Sequence, residues 1–85
     1  MPDLENNFEQ KAEEVKSLPK MSDDDKLYLY KYYKQATQGN NQTEKPSFFD
    51  FVGKAKWNAW DSVKGTSRDD AMHEYIMKAN ELLNP

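Results

Sequence analysis

The sequence predicts an all-α fold, a small four-helix bundle. Three observations lead there. Four stretches place apolar side chains at helical spacing, and no stretch alternates with period two for long enough to form a convincing strand. There are no cysteines and no Cys/His cluster, so neither disulfides nor a structural zinc can substitute for helix packing. At 85 residues the chain is one domain, residues 1–85. A domain of this size buries only a little over ~60% of the surface that its unfolded form exposes, so the core is expected to be thin.

The first helix is expected over about 4–17. Leu4, Phe8, Ala12 and Val15 share one stripe, and Glu5, Glu9, Glu13 and Glu14 lie away from it. Leu18-Pro19 ends it, because the residue before a proline disfavours the helical region. The second helix is expected over about 23–38. Ser22 is a good N-cap with Asp25 three residues on, Asp23 and Asp24 complement the helix dipole, and Gly39 is a C-terminal stop. Residues 39–47 are polar, end in Pro46-Ser47 and read as a long loop, with Phe48, Phe49 and Phe51 expected to pin it to the core. The third helix is expected over about 50–64, stopping at Gly65. The fourth is expected over about 67–83 with Ser67 as N-cap. Its stripe is Met72, Tyr75, Ile76, Ala79, Leu82 and Leu83.

Charge and chemistry exclude several functions. Twelve basic against fifteen acidic residues give a net charge of −3, without the basic footprint of a nucleic-acid binder. The start of the chain, Met1-Pro2-Asp3-Leu4-Glu5, is acidic and unlike a signal peptide, and no apolar run approaches the roughly 20 residues of a membrane helix. A cytoplasmic location is the expectation. With no cysteine and a single histidine, His73, read as a surface residue, no nucleophile–base–orienter set can be named. The run Asp23-Asp24-Asp25 reads as helix capping and lacks the glycine and distant glutamate of a calcium loop, so no metal is expected.

Two helices carry more than a bundle requires. In the second, Leu29, Tyr32, Tyr33 and Ala36 form one face, and Leu27, Tyr30 and Lys34 form another beside it. Tyr30 and Lys34 are four apart, so ring and ammonium are neighbours. In the third, the stripe Val52, Lys56, Ala59, Trp60, Val63 has a lysine near its centre. A buried unpaired ammonium is costly, so Lys56 must snorkel, meet a carboxylate or face an anion from outside the chain. Lys16 flanks the stripe of the first helix. Periodicity leaves both readings of these lysines open, snorkelling surface residues or anion ligands. Lysines beside tyrosines and apolar stripes suit an amphiphilic anion with an aromatic part, since ammonium groups neutralise phosphate and phenol rings stack.

The blocks Tyr30-Lys31-Tyr32-Tyr33-Lys34-Gln35-Ala36-Thr37, Thr43-Glu44-Lys45-Pro46, Phe51-Val52-Gly53-Lys54-Ala55-Lys56-Trp57-Asn58-Ala59-Trp60, Lys64-Gly65-Thr66-Ser67 and Tyr75-Ile76 resemble the acyl-CoA-binding protein family, also called diazepam-binding inhibitor. The resemblance spans nearly the whole chain. It implies a bundle in up-down-down-up order with one long crossover, and a non-enzymatic, monomeric carrier that binds and buffers medium- to long-chain acyl-CoA. By resemblance, Tyr30, Lys34 and Lys56 match positions at the ribose 3′-phosphate and adenine. Lys16 and Tyr33 match positions near the CoA head and thioester end, and Tyr75 one on the adenine side. Ala12 and Leu27 match positions lining the acyl groove. No cofactor is implied. The partners implied are long-chain fatty acyl-CoA and the enzymes that make or use it.

The chain departs from the family pattern in four places. Val52 stands where a ligand-touching lysine is common, Met21 where a proline is usual, Lys31 where a small residue follows the tyrosine, and Lys11 at a position that is often small. Two rival classes compete with this reading: a protein-interaction module such as a secreted signalling peptide, and a thioesterase or acyltransferase, which the missing catalytic set disfavours.

Overall fold

The computed structural model describes residues 2–85; Met1, the first residue of the acidic N-terminal stretch, lies outside them. Four helices follow in order: α1 (Pro2–Val15), α2 (Asp23–Gln38), α3 (Phe51–Ser62) and α4 (Arg68–Leu83). No strand occurs among the described residues. The helix starts follow their capping chemistry. The Ser22 and Ser67 hydroxyls each accept from the backbone N–H three residues on, at Asp25 and Asp70, both at 3.1 Å. Asp50 caps α3, its Oδ1 accepting from the Gly53 N–H at 2.9 Å. Gly39 (φ 81°) and Gly65 (φ 92°) turn the chain out of α2 and out of the bend after α3, in a region that side chains disfavour.

The bounds of two helices differ from expectation, α1 already beginning at Pro2. α1 stops at Val15, short of residue 17, and the chain tightens there: the N–H groups of Lys16, Ser17 and Leu18 donate to the carbonyls of Glu13, Glu14 and Val15. This turn brings Leu18 back against the core before Pro19 forces the chain to extend. α3 is shorter than 50–64, because Asp50 stays outside as a cap and residues 63–65 form a turn.

Side-chain pairings fix the topology. Glu5 meets Arg68 and Phe8 meets Tyr75, so α1 and α4 run parallel. Asp25 meets Lys78, Tyr28 meets Glu74 and Gln35 meets Thr66, so α2 opposes α4. Leu27 faces Val52 while Lys34 reaches Trp60, so α3 runs with α2. The order is therefore up-down-down-up. α4 packs on both α1 and α2, α3 packs on α2, and the α1 and α2 backbones do not pack on each other. The Cα trace is a slab of 38 × 30 × 15 Å, which makes the core one sheet of side chains thick. Phe8, Val15, Leu29, Ala36, Ala71, Met72, Tyr75, Ile76 and Ala79 form it.

The crossover between α2 and α3 is held by polar anchors. Trp60 Nε1–H donates to the Gly39 carbonyl at 2.9 Å, and Trp57 Nε1–H to the Thr43 carbonyl at 3.1 Å. The buried Gln35 donates from Nε2 to Asn40 Oδ1 (2.8 Å) and to the Thr66 carbonyl (2.9 Å), and Asn40 Oδ1 also accepts from the Gly65 N–H. The expectation that Phe48, Phe49 and Phe51 pin this loop is corrected, because all three are exposed. Indoles and amides already hold the segment, and the rings are left on the surface. The departure at Lys31 has a local account. Its ammonium lies 4.7 Å from the centre of the Tyr28 ring and 5.3 Å from that of Tyr32, on the outer face of α2.

Two outcomes follow. Gln35→Leu leaves the Thr66 carbonyl without its donor and should cost about 1–3 kcal/mol with an unchanged m-value in urea unfolding. A cost below about 0.5 kcal/mol would assign the anchoring to the indoles alone. The second concerns Tyr75. Burial, aided by the neighbouring Tyr33, pushes its hydroxyl pKa from 10.0 up to about 12. Between pH 10 and about 12 the unfolded chain releases this proton while the folded chain keeps it, so stability that is complete below pH 10 falls as pH rises through that window. Tyr75→Phe should remove that part of the alkaline slope. Tyr28 keeps its own part, since burial and its hydrogen bond to Glu74 push it to about 12 as well. Urea melts stepped across the window read the difference between the two slopes.

Candidate functional site

α4 separates α1 from α2, and the gap between them is an open cleft of about 600 Å³. Ala12 and Val15 line its α1 wall, Leu29 and Tyr33 its α2 wall, and Tyr75 of α4 its floor. Three rings close the bottom. Phe8 meets Tyr75 edge-on at 5.0 Å and stacks on Tyr33 at 5.7 Å, and Tyr33 tilts toward Tyr75 at 6.1 Å. Tyr33 remains 43% exposed, so one ring face is available to a guest. The Tyr75 hydroxyl makes no hydrogen bond among those of the described residues, and burial pushes its pKa up to about 12. Lys16 lies at the edge of this cleft, beyond the last turn of α1. Its ammonium is held 3.0 Å from the Glu13 carboxylate, and the side chain is well exposed.

On the other side of α2, Tyr30, Lys34 and Lys56 line a recess of about 270 Å³ with Trp57 and Trp60. Lys34 Nζ sits 4.8 Å from the centre of the Trp60 ring, and Lys56 Nζ 5.4 Å from that of Tyr30. Neither ammonium has an ion-pair partner among the described residues. The third-helix stripe is therefore only half a core face. Trp60 and Val63 are buried, whereas Val52 and Lys56 are exposed. Lys56 meets an aromatic face, with its charge left open to an anion. Gly53 belongs to this recess, and a Cβ there would collide with the Asp50 carboxylate that caps α3.

A third cleft, about 490 Å³, lies between the first turns of α2 and α3. Leu27, Phe51, Val52 and Ala55 line it, with Lys26 and Lys56 among its polar residues. The candidate residues thus do not share a single mouth. They form a belt across α2, with Ala12, Lys16, Tyr33 and Tyr75 on the α1 side and Tyr30, Lys34, Lys56, Leu27 and Val52 on the α3 side. Tyr33 and Lys34 are consecutive, so the two halves meet at one backbone position. Lys56 lines both α3-side spaces, and Lys26 lines a cleft on each side of α2. The sequence reading missed Lys26, although a signal was present: it stands four before Tyr30 and eight before Lys34, on the same strip of helix. No acidic, histidine or cysteine group that could hold a metal occurs among the described residues, and none of their helices is long and apolar enough to cross a membrane.

Comparison with known proteins shows the family and the fold. Residues 5–79 match the family described as "Acyl CoA binding protein". The chain is 48% identical over 80 residues to acyl-CoA-binding domain-containing protein 3 of Oryza sativa, covering 93% of this chain but only 52% of that protein, so it spans about half the length of that relative. It is 48% identical over 77 residues to the acyl-CoA-binding protein of Saccharomyces cerevisiae, covering 89% of this chain and 88% of that one. The crystal structure of Oryza sativa acyl-CoA-binding protein 2 superposes with a TM-score of 0.90 at 46% identity, over 94% of this chain and 90% of that one. With this family match, this sequence identity over most of the chain and the same four-helix arrangement, the chain belongs to the acyl-CoA-binding protein family.

Proposed function

We propose that the chain is a cytoplasmic, monomeric carrier that binds one medium- to long-chain acyl-CoA across the belt on α2, and that it performs no chemistry on it. The observation that supports this most is the α2–α3 recess: two ammonium groups that make no ion pair among the described residues, each over an aromatic face, beside clefts lined by apolar side chains. Family membership supplies the ligand class. Lys34 and Lys56 neutralise the phosphate of the nucleotide end, and Tyr30 offers a face and a hydroxyl beside them. On the α1 side, Tyr33 and Tyr75 take the aromatic and polar parts of the CoA head, and Lys16 exchanges Glu13 for the ligand's anion. Ala12 and Leu27 cover the hydrocarbon. Free acyl-CoA partitions into membranes, and a bundle that screens its phosphates and covers its tail keeps it in water for enzymes that produce or consume it. Val52, in place of a charged residue, gives the tail more apolar wall and the head one cation fewer.

Each methylene buried contributes ~0.8 kcal/mol, so two more carbons tighten binding roughly 15-fold until the groove ends. Titration calorimetry with acetyl-, octanoyl- and palmitoyl-CoA should show a steep rise that flattens, and equal affinity for all three would refute the reading. Lys34→Ala and Lys56→Ala should each weaken palmitoyl-CoA binding by about 1–3 kcal/mol, more at low salt than at high salt, with little change in thermal stability. A lowered melting temperature with binding intact would make these lysines structural.

A further inference from the structure

Most of the exposed large apolar surface of this molecule is gathered in one place. Phe48, Phe49, Phe51 and Val52 are 70%, 81%, 73% and 68% exposed, and they lie within five consecutive residues at the start of α3. The remaining exposed large hydrophobics among the described residues, Tyr33 and Met77, stand apart on other helices. The Phe cluster is ordered by the backbone beneath it. Ser47 closes a turn, its carbonyl accepting from the Asp50 N–H at 3.0 Å and its hydroxyl from the Phe49 N–H at 3.3 Å. The Phe48 and Phe49 rings meet edge to face at 5.5 Å, outside the core. Exposing such rings to water is unfavourable, and contiguous exposed apolar side chains mark interaction sites.

We infer that Phe48 and Phe49 are a docking tip that inserts into the interfacial layer of a lipid bilayer, from which the carrier collects and to which it returns its acyl-CoA. Three observations choose a bilayer over another occupant. First, the patch runs into the α2–α3 cleft through Phe51 and Val52, so a hydrocarbon tail leaving lipid reaches Leu27 and Ala55 along apolar side chains. Second, a cation stands beside the rings, Lys54 Nζ lying 4.6 Å from the centre of the Phe48 ring, and Lys45, just ahead of Phe48 in the chain, places its Nζ 5.5 Å from the centre of the Trp57 ring in the adjoining recess. Neither has an ion-pair partner among the described residues, so both ammonium groups are available to lipid phosphates. Third, Asp50, the acidic residue inside the patch, has its carboxylate committed to the N-terminus of α3, and Glu44 lies in the α2–α3 recess beside Lys34 and Lys56. Two aromatic rings without a lipid chain or a long amphipathic helix make a weak, reversible contact, as a shuttle needs.

The choice of a bilayer rests on the acyl-CoA reading, but the contact itself does not, and the test separates them. Ligand-free full-length protein is sedimented with phosphatidylcholine vesicles, with and without phosphatidylserine, and Phe48→Ser/Phe49→Ser is compared with the unaltered chain. Palmitoyl-CoA affinity is measured by calorimetry on both proteins, and self-association by sedimentation velocity. The unaltered chain should partition onto both vesicle types and the double variant about tenfold less, with palmitoyl-CoA affinity and circular dichroism unchanged. No vesicle binding by the unaltered chain overturns the inference, as does binding that the double variant retains. A parallel loss of palmitoyl-CoA affinity also overturns it, because the rings would then belong to the groove. So does a dimer that the double variant abolishes, because the patch would then join two copies of this chain.

Discussion

The fold depends on α4 serving as a shared support. It packs on α1 and on α2, whose backbones do not approach each other and which meet through the side chains of Phe8 and Tyr33. In a bundle whose neighbouring helices all pack, ridges fill grooves and the space between α1 and α2 would be closed. Here the gap is spanned only at its base, by the rings of Phe8, Tyr33 and Tyr75. The cleft follows from this arrangement, and so does its character. Its floor is aromatic because Phe8 and Tyr75 belong to the core, and its rim is charged because the outer helix residues face water. A slab 15 Å thick leaves no room for an enclosed cavity, so any sizeable guest lies across the surface.

Electrostatics then divide the two sides of α2. On the α3 side, Lys34 and Lys56 rest on aromatic rings and make no ion pair among the described residues, although Glu44 lines the same recess. A ring quadrupole holds an ammonium in place without cancelling its charge, so these groups are oriented before any anion arrives. On the α1 side, Lys16 is paired with Glu13, and an incoming anion competes with that pair. The pair is exposed and therefore weak, so this competition is mild. The outer face shows a different use of the same residue types. There Lys78 is bound to Asp25 at 2.9 Å, which raises its pKa and lowers that of the carboxylate, and Tyr28 donates to Glu74. Those charges are satisfied within the chain and hold helices together.

Much of this was legible in the sequence. The caps at Ser22 and Ser67, the stop at Gly39 and the stripe of α4 rest on local chemistry, and the structure reproduces them. Tyr30 and Lys34 stand four apart on one face of α2 and Lys56 interrupts the apolar stripe of α3; only the family resemblance groups the three, and they share one recess. What local pattern could not supply was which element shields which. Phe48, Phe49 and Phe51 look like core residues by type, but the loop they follow is already fastened by Gln35, Trp57 and Trp60 through polar contacts far apart in sequence. The end of α1 was misplaced because three tightened hydrogen bonds precede Pro19, a backbone detail that apolar periodicity does not encode. Lys26 was overlooked because a lysine on a helix looks like any solvated residue until two clefts are seen to meet beside it.

The two indoles are the only tryptophans of the chain, and both donate to main-chain carbonyls of the same crossover, Trp60 to Gly39 and Trp57 to Thr43. Intrinsic emission from this protein is therefore a local optical gauge. Its wavelength and yield track solvent around one connecting segment and one face of α3, while α1 can fray or re-dock almost unseen. An unfolding curve followed by tryptophan light and one followed by backbone ellipticity consequently watch different parts of the molecule, and any separation between them would time the release of α1 against that of the crossover.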